Sequence, residues 1–185
     1  MTRLAAGYVI EPTRLTALDG SAVAVPGVGL VHLQFRRFAR CPICSLHLHS
    51  FAARHGDVAA AGNTEVVVFH STAERLGGYQ ADLPFTVVAD PDRELYRRFG
   101  VETGVRSMLD PRAWWGAVRG GHQWITHHSD PDWAGVGVSD GTTHLGLPAD
   151  FLIGPDGTLV AAHYGAHADD QWSVDELLLK INRAR

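Results

Sequence analysis

Cysteine is scarce in this 185-residue sequence: Cys41 and Cys44 are the two it holds. A chain of this length buries roughly 70% of the surface its unfolded form exposes, so its core needs no covalent staples. A disulfide scaffold is thereby excluded, and the close pair needs another explanation. Also missing is any run of about 18 apolar residues, which excludes a transmembrane helix. There is no basic surplus either. Sixteen Lys and Arg stand against 20 Asp and Glu, giving a formal charge of −4 with the 11 His neutral. Phosphates would not be neutralised, so nucleic acid is excluded as a partner. The first residues, Met1 to Tyr8, carry one Arg and no apolar segment of the length a secretory signal requires. These features place the chain in the cytoplasm, where thiols stay reduced and a close cysteine pair is redox-active or metal-binding rather than structural.

At roughly 150 residues per domain, the length predicts one domain over 1–185. Asp19-Gly20 between two short apolar stretches predicts a β-hairpin over 14–25. Val31, Leu33 and Phe35 alternate with His32 and Gln34, which reads as a strand ending near Arg36. Leu46, Leu48 and Phe51 suit a helix over 44–54, opened by Cys41-Pro42 and closed near Gly56. The β-branched run 65–70 reads as a strand buried on both faces, followed by a short helix over 72–79. A strand over 85–89 and a helix over 93–99, closed by Gly100, come next. Strands separated by helices imply crossovers and a largely parallel sheet. Residues 101–146 break this rhythm and read as an insertion, rich in Trp and His. Strands over 149–153 and 158–164, joined through Asp156-Gly157, and a terminal helix opened by the capping box Ser173 to Glu176 complete the pattern.

The chemistry-bearing motif is Arg40-Cys41-Pro42-Ile43-Cys44 at a strand-to-helix junction. Residues i and i+3 on a first helical turn come within disulfide reach, so the pair opens and closes with little backbone movement. The unpaired N–H groups of a helix start favour thiolate at Cys41, and Arg36, Arg37 and Arg40 add positive charge nearby. Thiolate is the attacking species, which makes Cys41 the nucleophile and Cys44 the resolving thiol. Pro42 removes an N–H that the first turn does not use. Arg40 is the neighbour best placed to tune Cys41.

Other readings remain open. Half of a zinc site would need a second Cys/His pair, and no clean one stands out. Cys41, Cys44 and a His such as His144 could instead capture Cu(I), or the fold could serve as a non-catalytic interaction module. His122, His127, His128 and His144 crowd the insertion with Trp114, Trp115, Trp124 and Trp133. The Trp residues either line a groove or subunit interface or pin the insertion to its own domain. Of His47 and His49, which follow the motif closely, at most one can face the thiols.

Three segments together carry a resemblance: Phe35-Arg-Arg-Phe-Ala-Arg-Cys-Pro-Ile-Cys44, Asp90-Pro-Asp-Arg-Glu-Leu-Tyr-Arg-Arg-Phe-Gly100 and Leu147-Pro-Ala-Asp-Phe-Leu-Ile-Gly-Pro-Asp-Gly157. In this order they resemble the peroxiredoxin-like branch of the alkyl hydroperoxide reductase/thiol-specific antioxidant (AhpC/TSA) family, over about residues 10–182. The resemblance implies an α/β thioredoxin-like three-layer sandwich. It has a central mixed sheet with helices on both faces, an N-terminal β-hairpin, and a long insertion before the cis-Pro strand. It further implies that Pro148 is the cis proline facing the CxxC, and that the backbone of Leu147 pairs with an incoming substrate. Family members carry a Thr three residues before the peroxidatic Cys and a Pro four residues before that Thr. Phe38 and Gln34 occupy those places here, and Cys44 stands where a Glu is common. Typical thioredoxins carry a buried acid on the strand before the motif, and this strand has none.

The expected protein is thus a thiol–disulfide oxidoreductase of peroxiredoxin-like type, with peroxide reduction as a weak second activity. It needs no organic cofactor and no metal. Its partners are a disulfide or peroxide substrate and an external thiol reductant, with a homodimer left open.

Overall fold

A computed structural model of the chain describes residues 2–38, 42–80, 83–101 and 147–185. The 101–146 insertion, apart from Val101, lies outside the described residues, as do Arg40 and Cys41.

The predicted hairpin forms as β1 (Thr13–Thr16) and β2 (Ala22–Val25), paired antiparallel with Thr13 opposite Val25. Its turn uses Gly20 in the left-handed region at φ 82°, where a side chain would be strained. Strand β3 (Leu30–Arg36) is the centre of a five-stranded sheet. It is followed by α1 (Pro42–Ala53) and α2 (His55–Ala60), then β4 (Asn63–Phe69), α3 (Ala73–Gln80) and β5 (Thr86–Ala89). Helix α4 (Glu94–Arg98), β6 (Ala149–Ile153), β7 (Leu159–Tyr164) and α5 (Val174–Ala184) complete the order.

The sheet runs β5-β4-β3-β6-β7. Strand β3 pairs parallel to β4, and β4 parallel to β5, whereas β6 pairs antiparallel to both β3 and β7. The sheet is therefore mixed. On one face Val31, Leu33 and Phe35 pack with Val66, Val68, Phe151 and Ile153 under the hairpin and α4. On the other, Leu48 and Phe51 of α1, Leu76 of α3 and Leu177 and Ile181 of α5 cover Val67, Phe69 and Leu152. Each large apolar side chain buried this way contributes about 1.5–3 kcal/mol. This is the three-layer thioredoxin-like arrangement that the resemblance implies.

Two short-range signals translate directly into geometry. Ser173 and Glu176 form a reciprocal capping box, with Glu176 N–H donating to Ser173 Oγ and Ser173 N–H to Glu176 Oε2. The Asp156-Gly157 turn has Gly157 at φ 84°. Helix α2 was not expected, because His55-Gly56 reads as a stop. Gly56 is tolerated inside this six-residue helix, which continues from α1 after a break at Arg54. One implication of the resemblance is corrected: among the described residues the cis peptide bond is Val25–Pro26, and Leu147–Pro148 is trans. The carbonyl of Pro148 already accepts from Gly165 N–H at 2.9 Å, so the chain enters the β6–β7 ladder extended at this point.

Candidate active site: a cysteine over a buried ionic network

Helix α1 starts at Pro42, the first-turn position where a missing N–H costs nothing. Cys44 lies within that first turn, 1% exposed, in a small apolar cluster with Phe38 and Ala168. Phe38 follows β3 directly and is itself covered by the Arg37 guanidinium, 5.5 Å from its ring centroid. Ala168 comes from the turn 165–172 between β7 and α5. That turn is fastened to β6 at both ends: Gly165 N–H donates to the Pro148 carbonyl at 2.9 Å, and Trp172 N–H to Asp150 Oδ2 at 3.2 Å. Cys44 and Pro148 thus touch the same turn at different residues, Cys44 at Ala168 and Pro148 at Gly165. Leu147 is partly buried just ahead of β6.

Below α1 the sheet carries a fully buried polar network whose members come from separate strands. His32 and Glu65 are register partners on β3 and β4, and Gln34 and Asp150 are partners on β3 and β6. His32 Nδ1 lies 2.7 Å from Glu65 Oε1, and its Nε2 lies 3.3 Å from Asp150 Oδ1. Arg36 Nη2 donates to Asp150 Oδ1 at 2.7 Å, to Gln34 Oε1 at 2.6 Å and to His47 Nε2 at 2.9 Å. Three acceptors share two hydrogens, so one of these bonds is three-centred. The His32 ring stacks on Trp172 at 5.7 Å.

The protonation states follow from this inventory. Burial works against a charged His32, but hydrogen bonds to Asp150 and Glu65 outweigh it and raise its pKa. Donation to both carboxylates requires the imidazolium. Burial also opposes the Asp150 carboxylate, yet the Arg36 charge and the His32 bond hold its pKa well below the usual range. Burial and the Arg36 charge push His47 well below its ordinary value, so it is neutral. His32 and Arg36 balance Glu65 and Asp150, and the network has no net charge.

From the face of the sheet that carries Val31, Leu33 and Phe35, the Tyr96 hydroxyl donates to the carbonyls of Arg36 and Val68 near the ends of β3 and β4. Burial, then the negative charge of Asp90, raises its pKa well above the usual value, so it remains a donor. Tyr96 is placed there by Asp90, whose carboxylate accepts from the N–H groups of Glu94, Leu95 and Tyr96 at the start of α4.

A family model described as AhpC/TSA antioxidant enzyme matches residues 50–167. The chain belongs to this family. The matched stretch begins after the Cys41–Cys44 pair, so the AhpC/TSA assignment rests on the body of the fold rather than on the thiols. No curated protein matches the sequence. Among solved structures, peroxidoxin BcpB from Mycobacterium tuberculosis superposes with a TM-score of 0.69 at 14% identity, covering 99% of each chain. A cysteine-to-serine variant of PrxQ from Xylella fastidiosa gives 0.69 at 14% identity, over 100% of this chain and 99% of its own. The bacterioferritin comigratory protein of Xanthomonas campestris, described by its alkyl peroxide reduction activity, gives 0.63 at 16% identity over 93% and 91%. At these identities the likeness extends to the fold.

Of the residues singled out from the sequence, Cys44, Leu147 and Pro148 are described together with the backbone of Pro42. Cys41, Arg40, the insertion Trp and His residues and the His144 of the copper alternative lie outside the described residues. Among the described residues, no three His, Cys, Asp or Glu side chains are placed to hold a metal ion. No helix among them is long and apolar enough to cross a membrane. Arg36, expected to add positive charge near the motif or to stand on a solvated edge, is instead paired with Asp150 at zero exposure. The two helix histidines have different partners: His47 turns to Arg36, while His49 donates through Nδ1 to the Ser45 carbonyl of its own helix at 2.8 Å. Sequence reasoning missed His32, Glu65 and Asp150. The available signal was the polar second face of β3, since a strand buried on both sides can hold His32, Gln34 and Arg36 only if neighbouring strands supply partners.

Proposed function

We propose that this AhpC/TSA family member is a thiol–disulfide oxidoreductase working through Cys41 and Cys44, with peroxide reduction as a weaker activity. The thiolate of Cys41 attacks a substrate disulfide sulfur, forming a mixed disulfide and expelling one substrate thiolate. Cys44, deprotonated, attacks Cys41 in that adduct, closes the Cys41–Cys44 bond and releases the second substrate thiol. Two electrons pass to the substrate, and an external thiol reductant in a reducing compartment returns the pair to the dithiol. With a peroxide, Cys41 takes the terminal oxygen as a sulfenic acid, an alcohol or water leaves, and Cys44 condenses with loss of water. Arg40, Leu147 and Pro148 are assigned to tuning and substrate contact, and Pro42 to opening the helix.

The observation that carries the choice of disulfide over peroxide is the packing of Phe38 against Cys44. An apolar ring offers no hydrogen bond to orient a peroxide, and the buried Arg36 is committed to Asp150. An apolar wall beside a buried resolving thiol suits exchange with a thiol-sized sulfur. The test is competition: reduced protein is mixed with equal concentrations of a small disulfide and of hydrogen peroxide, and loss of free thiol is followed over time. Faster oxidation by the disulfide is expected; faster oxidation by peroxide would overturn the assignment.

A further inference from the structure

A strand at the end of a sheet shows a row of N–H and C=O groups on its outer edge, which native proteins normally cover or blunt. Strand β5 ends this sheet, with β4 on its inner side. Successive residues of a strand turn these groups to opposite edges. Asp90 N–H reaches inward to the Phe69 carbonyl, so Val88 and Thr86 also face β4, and Phe85, Val87 and Ala89 face out. Strand β1 is phased in the same way. Ala17 N–H donates across the hairpin to the Ser21 carbonyl, which turns Leu15 and Thr13 toward β2 and leaves Arg14, Thr16 and Leu18 facing away from it.

The two outer edges meet at one point. Leu18 N–H donates to the Val87 carbonyl at 2.9 Å, and no other backbone bond joins these edges among the described residues. Beyond it, Thr13–Thr16 and Val88–Asp90 border a groove of about 370 Å³ that Glu94, Leu95 and Arg98 of α4 also line. The N–H and C=O groups of Arg14 and Thr16 on one wall, and of Ala89 on the other, have no backbone partner among the described residues. An extended polypeptide is the ligand that offers donors and acceptors along both of its edges at strand spacing. Pairing of this kind supplies affinity through the main chain and tolerates many sequences.

Charge narrows the occupant. The groove carries the guanidinium groups of Arg14 and Arg98 and the carboxylates of Glu94 and Asp90. Asp90 is buried and already accepts from three N–H groups of α4, while Arg98 is steadied by donation to the Glu11 carbonyl. Arg14 and Arg98 therefore outweigh Glu94, and an acidic side chain on the incoming strand complements them.

We propose that this seam docks an extended segment of a partner protein by strand addition between β1 and β5, with an acidic side chain of the segment lying between Arg14 and Arg98. The docking site is independent of the thiol chemistry and stands whether or not the dithiol reading does.

The probe is a capped, fluorescein-labelled octapeptide of alternating Thr and Val with one central Glu, titrated with the full chain and followed by fluorescence anisotropy. Saturable binding is expected. Thr16→Pro and Ala89→Pro each remove one outward N–H while leaving the ladders to β2 and β4 intact, and each should weaken binding about threefold to tenfold. Combined Arg14→Glu and Arg98→Glu should reverse the preference from the Glu-centred probe to one with Lys in its place. A probe N-methylated at two successive central residues loses a donor on each edge and should not bind, a comparison that needs no variant of the protein. No binding of the parent probe, equal binding of the methylated one, or unchanged affinity in either proline variant would overturn the proposal. A chain that sediments as a dimer and becomes monomeric in the proline variants would assign the seam to a second copy, and would overturn it too.

Discussion

Arg36 and Asp150 face each other at 2.7 Å with neither side chain exposed. Removing the carboxylate leaves two buried cations, Arg36 and His32, without their shared counter-charge. Asp150→Ala is expected to cost about 3–5 kcal/mol in denaturant unfolding. The loss extends to the site, because Asp150 Oδ2 also holds the turn that lays Ala168 on Cys44. A loss below about 1 kcal/mol would show that water or rearranged neighbours replace the carboxylate.

The network also shapes stability against pH, with two opposing signs. His47 has a native pKa below its unfolded value of about 6.5, so on acidification from there the unfolded chain takes a proton that the native chain refuses. Stability falls with pH on that side, and falls further below about 4 as Asp150, whose native pKa is also lowered, loses its advantage. His32 has a raised native pKa; its contribution is complete below about 6.5 and is lost as pH climbs through the native value. Denaturant melts across this range should therefore peak near about pH 6.5. His47→Gln should flatten the limb just below the peak and leave the alkaline limb unchanged; an unaltered acid limb would remove His47 from this account.

Gly165 opens the turn that carries Ala168 onto Cys44. A Cβ there would collide with the Asp170 carbonyl oxygen and sit 3.0 Å from that of Pro148, both backbone atoms that cannot swing away. Gly165→Ala should displace the turn, uncover Cys44 and speed its alkylation by a small thiol reagent, with a stability loss of about 1–3 kcal/mol. Unchanged alkylation would mean that Ala168 does not guard the sulfur.

The elements came through in the sequence wherever the cause was local. The alternation of β3, the Ser173 to Glu176 capping box and the Asp156-Gly157 turn depend on neighbours a few residues away, and each appears at the expected place. The ionic network could not be read that way. His32 meets Glu65 and Asp150 across 33 and 118 residues, and only strand register brings them together. The expected absence of an acid on β3 is correct, and the acids come instead from β4 and β6. Arg36 illustrates the same limit: its charge near the motif was visible, but not the carboxylate that consumes it.

The dithiol mechanism is tested most directly by trapping. Each single cysteine variant is reduced, mixed with a small disulfide and weighed by mass spectrometry. Cys44→Ser should accumulate a one-to-one mixed disulfide on Cys41, whereas Cys41→Ser, left with a sulfur packed under Phe38 and Ala168, should accumulate none. Adducts of equal yield in both variants, or in neither, would contradict the assignment of nucleophile and resolving thiol.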